Sequence, residues 1–236
     1  MTHPNHARPK FTFLGHATVR FDLAGGEVVL VDPWLGNPSC PPAARDLPRL
    51  DGMLITHGHS DHIADAVELA KKHKPKKIVA AYEIITWLAK QGVENGAGMN
   101  LGGTVELLGL QVTMVRADHS SGLPDGSYGG VASGFVITLP GGFTFYLAGD
   151  TALFSDMQLI GDLYRPELAF LPIGDLFTMN PEAAARACRY LGVRRVVPIH
   201  WGTFPALTGT PDQLKEALER MGVACEVVTL QPGESY

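Results

Sequence analysis

Apolar and polar residues alternate near the start of the chain with the two-residue period of strands. Phe11-Thr12-Phe13-Leu14 and Thr18 to Leu23 both follow it. Gly25-Gly26 reads as a hairpin turn, with Glu27 to Val31 as the return strand. A Pro-rich loop runs from Pro33 to Pro48, and its length and rigidity suggest a lid or site wall rather than a linker. Asp51 to Thr56 reads as a buried strand. Beyond it Ile63, Ala66, Val67 and Ala70 recur at helical spacing, so Asp61 and His62 fall at a helix start. Lys77 to Ala80 is a further strand, followed by a helix from Glu83 to Lys90.

Gly92 to Gly103 is rich in Gly and Asn and reads as a loop, and Thr104 to Leu108 with Gln111 to Ala117 as a second hairpin. Gly122 to Gly130 reads as a flexible loop. Val131 to Leu139 and Phe143 to Ala148 are strands joined at Pro140-Gly141-Gly142, and Leu168 to Pro172 and Val196 to Ile199 are short buried strands. Asn180 as cap and Pro181 in the first turn open a helix through Tyr190. Thr210-Pro211-Asp212-Gln213 is a capping box for the last helix. Strand-rich meanders with helices in both halves, and no break in composition, predict one domain over 1–236 of mixed α and β structure.

Composition narrows the class. The chain has 236 residues, 45% of them hydrophobic and 18% charged, as in ordinary globular proteins. A formal net charge of -5 supplies no basic footprint for nucleic acid and no polybasic membrane anchor. No apolar run approaches a membrane span, and the polar start Met1-Thr2-His3-Pro4-Asn5-His6 lacks a signal-peptide core. Cys40, Cys188 and Cys225 are widely spaced and suggest thiols rather than a disulfide framework. These features fit a cytoplasmic protein with a small-molecule substrate, neither membrane nor nucleic acid as partner, and homo-oligomerisation left open.

One segment points to chemistry. Thr56-His57-Gly58-His59-Ser60-Asp61-His62 places three imidazoles and a carboxylate directly after the apolar run Met53-Leu54-Ile55. Each is a ligand for a borderline metal such as zinc. Further polar side chains sit just past other apolar strands: Asp32 after Val28–Val31, His119 after the second hairpin, Asp150 after Phe143–Ala148, and His200 after Val196–Ile199. Strand ends hold side chains on rigid backbone, which suits a ligand. Five histidines and two aspartates are enough for two metals with open positions for water and substrate. His16 closes the first strand and is a candidate for orienting a ligand or contacting substrate. His3, His6 and His73 belong to no motif and are expected to be solvated.

These residues, in this order, resemble the metallo-β-lactamase superfamily over nearly the whole chain. The resemblance implies an α+β fold, an αββα four-layer sandwich with two mixed sheets and the site at one edge. It implies a first metal on His57, His59 and His119, a second on Asp61, His62 and His200, and Asp150 bridging, with Asp32 holding the histidine loop from behind. Gly15-His16-Ala17-Thr18, Leu171-Pro172-Ile173-Gly174, Phe177-Thr178-Met179 and Pro198 to Pro205 narrow it. They resemble a group of bacterial and archaeal metal-dependent hydrolases related to ascorbate-6-phosphate lactonase and, more distantly, to N-acylphosphatidylethanolamine phospholipase D. Asp175 stands where that group has glycine, and Trp201 where it has tyrosine.

The chemistry implied is hydrolysis. Two divalent ions about 3.5–4 Å apart share a water, lower its pKa toward 7 and generate a hydroxide for attack on a carbonyl or phosphoryl centre. Asp61, Asp150 and His16 are the candidate catalytic residues; zinc is the first candidate metal, with manganese or another transition metal as alternatives. Superfamily members that use two irons for oxygen chemistry typically carry Glu at the position of His59. The leading expectation is a metal-dependent hydrolase of a small ester, lactone or phosphoester. A phosphodiesterase or nuclease is the alternative, and a non-catalytic metal-binding sensor or interaction domain a third.

Overall fold

The computed structural model describes residues 8–236, so His3 and His6 lie outside the described residues. Strands β1 (Lys10–Phe13), β2 (Val19–Asp22) and β3 (Val28–Val31) form an antiparallel meander. Strands β4 (Gly52–Leu54), β5 (Lys77–Ala81) and β6 (Gly96–Met99) then add in parallel, completing a six-stranded sheet in sequential order. The crossovers carry α1 (Ser60–Ile63), α2 (Ala66–His73) and α3 (Tyr82–Lys90).

The second half repeats this scheme. Strands β7 (Thr104–Leu107), β8 (Leu110–Arg116), β9 (Ser133–Thr138) and β10 (Thr144–Leu147) form an antiparallel meander. Strands β11 (Leu168–Pro172), β12 (Arg195–Ile199) and β13 (Glu226–Val227) add in parallel through α4 (Met157–Tyr164), α5 (Pro181–Leu191) and α6 (Pro211–Met221). Because the crossover strands are parallel, their C-terminal ends share one edge of the sandwich.

Alternation along the strands builds three cores from two sheets. In β3, Val29 and Val31 face the partner sheet, while Val28 and Leu30 face the helices. In β10, Phe145 and Leu147 face inward and Tyr146 faces α4 to α6. Strands covered on both faces lose polar alternation and read as continuous apolar runs. Between the sheets, Phe11 and Phe21 meet Phe145 edge-on, with ring centroids 5.0 and 5.5 Å apart. The result is the expected αββα sandwich.

Four local features differ from the sequence reading. The Gly92–Gly103 stretch contains β6, a strand in which a Cβ at Gly98 would sit 3.1 Å from Tyr82 Cα; glycine lets α3 lie against the strand. Helix α4 escapes the periodicity because Leu159 and Leu163 point to solvent and blur its apolar face. The 122–130 loop is a bonded hairpin rather than a loose segment: Leu123 N–H donates to the Ser127 carbonyl, and the Trp87 indole to Asp125 (2.8 Å). His73, at the end of α2, is half-buried and so only partly solvated. The helix starts fall where expected, with Asn180 accepting from the Ala183 N–H and Thr210 and Gln213 closing a reciprocal cap. Gly98→Val should destabilise the protein by about 1–3 kcal/mol through overpacking against α3. The change is read as a lower urea midpoint at unchanged slope.

Candidate metal centre

Five strand ends deliver the site. β4 runs out through Ile55 into Thr56–His59, and α1 starts at Ser60, so one short segment supplies His57, His59, Asp61 and His62. His119 follows β8, Asp150 follows β10, and His200 follows β12. His16 sits in the turn between β1 and β2. Its carbonyl accepts from the His200 N–H at 2.6 Å, joining the two sheets at the site edge. The Thr56 carbonyl adds a second tie by accepting from the Ser133 hydroxyl (2.9 Å). His16, Asp32 and His200 all have left-handed backbone, at φ 55°, 46° and 54°. Such non-glycine conformations cost roughly 1–3 kcal/mol each and persist where the surroundings over-determine them.

The seven predicted ligands converge, and His16 joins them. His57, His59 and His119 form one group whose ligand atoms lie within 4.8 Å of one another; His16, Asp61, His62 and His200 form a second. Asp150 links them, its Oδ2 lying 3.0 Å from His200 Nε2, 3.3 Å from His62 Nε2 and 3.7 Å from His119 Nε2. His16 Nε2 lies 3.0 Å from Asp61 Oδ2. His16 is fully buried, so it meets Asp61 from beneath rather than facing solvent.

Asp32 orders this cluster. Its carboxylate accepts from the Thr56 N–H, the Thr56 hydroxyl and His62 Nδ1, each at 2.8 Å. A carboxylate only accepts, so His62 carries its proton on Nδ1 and presents Nε2 to the centre. The Thr56 hydroxyl spends its proton on Asp32 and so accepts from His57 Nδ1, 3.0 Å away, which turns His57 Nε2 inward too. Thr56 was legible as part of the motif but not as a partner of His57. Thr203, bonded to His16 Nδ1 at 3.0 Å, was likewise missed. A hydroxyl's partner depends on the folded chain, and nothing in the local sequence announced either contact.

Electrostatics follow from burial against opposite charge. Burial pushes the His57 pKa well below the ordinary histidine value and lowers those of His59 and His119. It pushes His16 down to about 4, leaving a neutral ring whose single N–H serves Asp61. Burial also opposes charge on His62, but Asp150 and Asp32 outweigh it and hold its pKa well above the usual value. Burial disfavours the Asp150 carboxylate, yet His62 and His200 draw its pKa well below the usual range.

The residues fit divalent ions. His62 Nε2 and Asp150 Oδ1 are buried without a hydrogen-bond partner, at the junction of the two groups. Buried polar atoms of this kind require a partner. Imidazole nitrogen with carboxylate oxygen is a borderline donor set that suits zinc and its neighbours.

The Pro33–Pro48 loop walls the site, with the Trp34 ring edge-on to His16 at 5.2 Å and stacked on Phe204 at 6.0 Å. Asp175 has φ 67° and Leu176 φ 48°, which accounts for glycine as the expectation at 175. Trp201 turns away from the ligands: its indole donates to the Pro198 carbonyl (3.0 Å) and its ring stacks on Phe13.

A two-sheet sandwich with a His/Asp cluster at the strand ends defines a class. The family model described as "Beta-lactamase superfamily domain" matches residues 27–201, and the chain belongs to that superfamily. Within it, the chain is 49% identical over 231 residues to a UPF0173 metal-dependent hydrolase of Koribacter versatilis, covering 96% of this chain and 97% of that protein. It is 49% identical over 229 residues to the one from Solibacter usitatus, covering 95% and 98%. The structure is similar to that of Igni18, a metallo hydrolase from the archaeon Ignicoccus hospitalis. That match has a TM-score of 0.86 at 36% identity, covering 97% of both chains.

Thr56→Val should weaken metal binding by about 10–100-fold, because it frees His57 to rotate and change tautomer; competition with a chromophoric chelator measures it. Asp175→Gly should raise stability by about 1 kcal/mol or less, since relief of left-handed strain is partly offset by glycine's entropy. Thermal unfolding tests that sign.

Proposed function

We propose that this chain is a dinuclear metal-dependent hydrolase, acting in the cytoplasm on a small ester, lactone or phosphoester. The observation that carries this reading is the pair of ligand groups with Asp150 between them. His57, His59 and His119 would hold one ion, Asp61, His62 and His200 the other, and Asp150 would be shared. When bound, two such ions supply Lewis acidity toward a substrate oxygen and bring the pKa of water toward neutrality.

The chain's own groups do the positioning. Asp32 keeps His62 and, through Thr56, His57 in the tautomers that present Nε2. His16 holds Asp61 by its Nε2–H and acts as a positioning residue. The Asp61 side chain is 33% exposed, so it can orient an attacking water from the solvent side. Histidine at position 59, rather than a carboxylate, favours zinc, with manganese the next candidate. The names of the Koribacter and Ignicoccus proteins support hydrolysis as the reaction class.

Metal analysis together with a panel of esters, lactones, thioesters and phosphodiesters tests the proposal. The wild-type protein should bind two equivalents of zinc or manganese and turn over at least one class. Asp150→Asn should lower the rate by about 100-fold or more, the scale on which loss of one principal electrostatic group acts. Undiminished hydrolysis in that variant would exclude the shared-carboxylate arrangement.

A further inference from the structure

Access to the cluster is one-sided. His16, His57, His62, Asp150 and His200 are buried, whereas His59, His119 and Asp61 are only partly covered. From His119 an open groove of about 800 Å³ runs outward, walled by Leu101, Tyr128, Val131 and Ala132. Small-molecule sites span roughly 300–1,000 Å³. Leu101, Tyr128 and Val131 are 41%, 68% and 42% exposed, so three large apolar side chains stand in water beside a polar centre. Exposed apolar surface joined to a binding site calls for an apolar occupant. The wall is already built: the Gly129 N–H donates to the Ser121 carbonyl at 2.8 Å, and the Trp87 indole pins Asp125.

Charge narrows the occupant. Among the described residues, Arg116 is the one cationic side chain lining the groove. Its guanidinium donates to Asp118 at 2.7 Å and to Asp156 at 3.2 Å, so two carboxylates neutralise it before any ligand arrives. Other cations collect at the far ends of the parallel strands: Arg49 before β4, Lys76 and Lys77 at the entry to β5, Arg194 and Arg195 at the entry to β12. Among the described residues, a phosphodiester or polyanion would meet no unpaired cationic side chain along this wall. Phosphate recognition ordinarily relies on such donors.

We propose, resting on the hydrolase reading above, that this groove is the subsite for the apolar chain of a neutral carboxylic ester or lactone. In the reaction, the oxygen of water bonds to the carbonyl carbon and the bond from that carbon to the ester oxygen breaks. One water proton ends on the departing oxygen, giving a carboxylic acid and an alcohol, or one hydroxy acid from a lactone. Tyr128 and Val131 are the specificity-determining residues for chain length.

The test has two readouts on the zinc-loaded protein. In the first, kcat/KM is measured for p-nitrophenyl acetate, butyrate and octanoate, with bis(p-nitrophenyl) phosphate as the anionic comparator. The value should rise at least tenfold from acetate to octanoate, and the phosphodiester should rank last. Val131→Asp and, as a second variant on the exposed loop, Tyr128→Ala should each erase most of that rise. Leu163→Asp, on the solvent face of α4, should leave it intact. In the second, calorimetric titration with octanamide, a neutral acyl analogue, should show binding weakened at least fivefold by Val131→Asp. A flat chain-length series in an enzyme that cleaves the esters overturns the groove assignment and leaves the hydrolase reading standing. Faster turnover of the phosphodiester than of the octanoate ester overturns the neutral-substrate assignment. No turnover of any substrate removes the hydrolase reading, and octanamide binding unaffected by Val131→Asp then removes the groove assignment separately.

Discussion

The buried carboxylate of Asp32 is the contact on which the rest of the site depends. It ends β3 in a left-handed conformation and receives three hydrogen bonds, two from Thr56 and one from His62. A buried charge that lacks partners is expensive, whereas one fully engaged by donors is an anchor. Here the engagement sets the direction of two imidazoles at once, one directly and one through a threonine hydroxyl. Removing the carboxylate would therefore unsettle both ligand groups rather than one.

That anchor works because the two sheets meet where it sits. The His16 carbonyl, in the turn between β1 and β2 of the first sheet, accepts from the His200 N–H just past β12 of the second, and Ser133 of β9 donates to Thr56. The candidate ligands from 57–62 and those at 119, 150 and 200 thus belong to one rigid edge, although they are distant in sequence. Parallel crossovers in both halves put the polar strand ends there and the cationic strand starts at the opposite edge. The same topology explains the gathering of imidazoles and carboxylates.

Much of the fold was legible because strands buried on two faces, such as Val28–Val31 and Leu168–Pro172, read as short apolar runs bounded by turns. Strand β6 was not legible, because Gly96 and Gly98 carry no side chain to signal a pleat; their purpose is the close approach of α3. Helix α4 was hidden by exposed Leu159 and Leu163, and β13 is only two residues long. At the site, the motif from Thr56 to His62 and the residues after three other strands, β8, β10 and β12, marked the candidate ligands. The grouping into two sets came from family resemblance; the folded chain brings His57, His59 and His119 together, Asp61, His62 and His200 together with His16, and Asp150 against His57 and His62.

The sequence by itself determined the donor chemistry, the strand ends that carry it and the superfamily, because each is a matter of residue type and local order. Only the tertiary structure decided which nitrogen each imidazole presents, that His16 lies beneath Asp61, and that an apolar groove leads away from His119. Those are relations between segments from different strands and loops. A hydroxyl, a carboxylate or an exposed valine acquires its partner, and so its role, only when the two sheets close on one another.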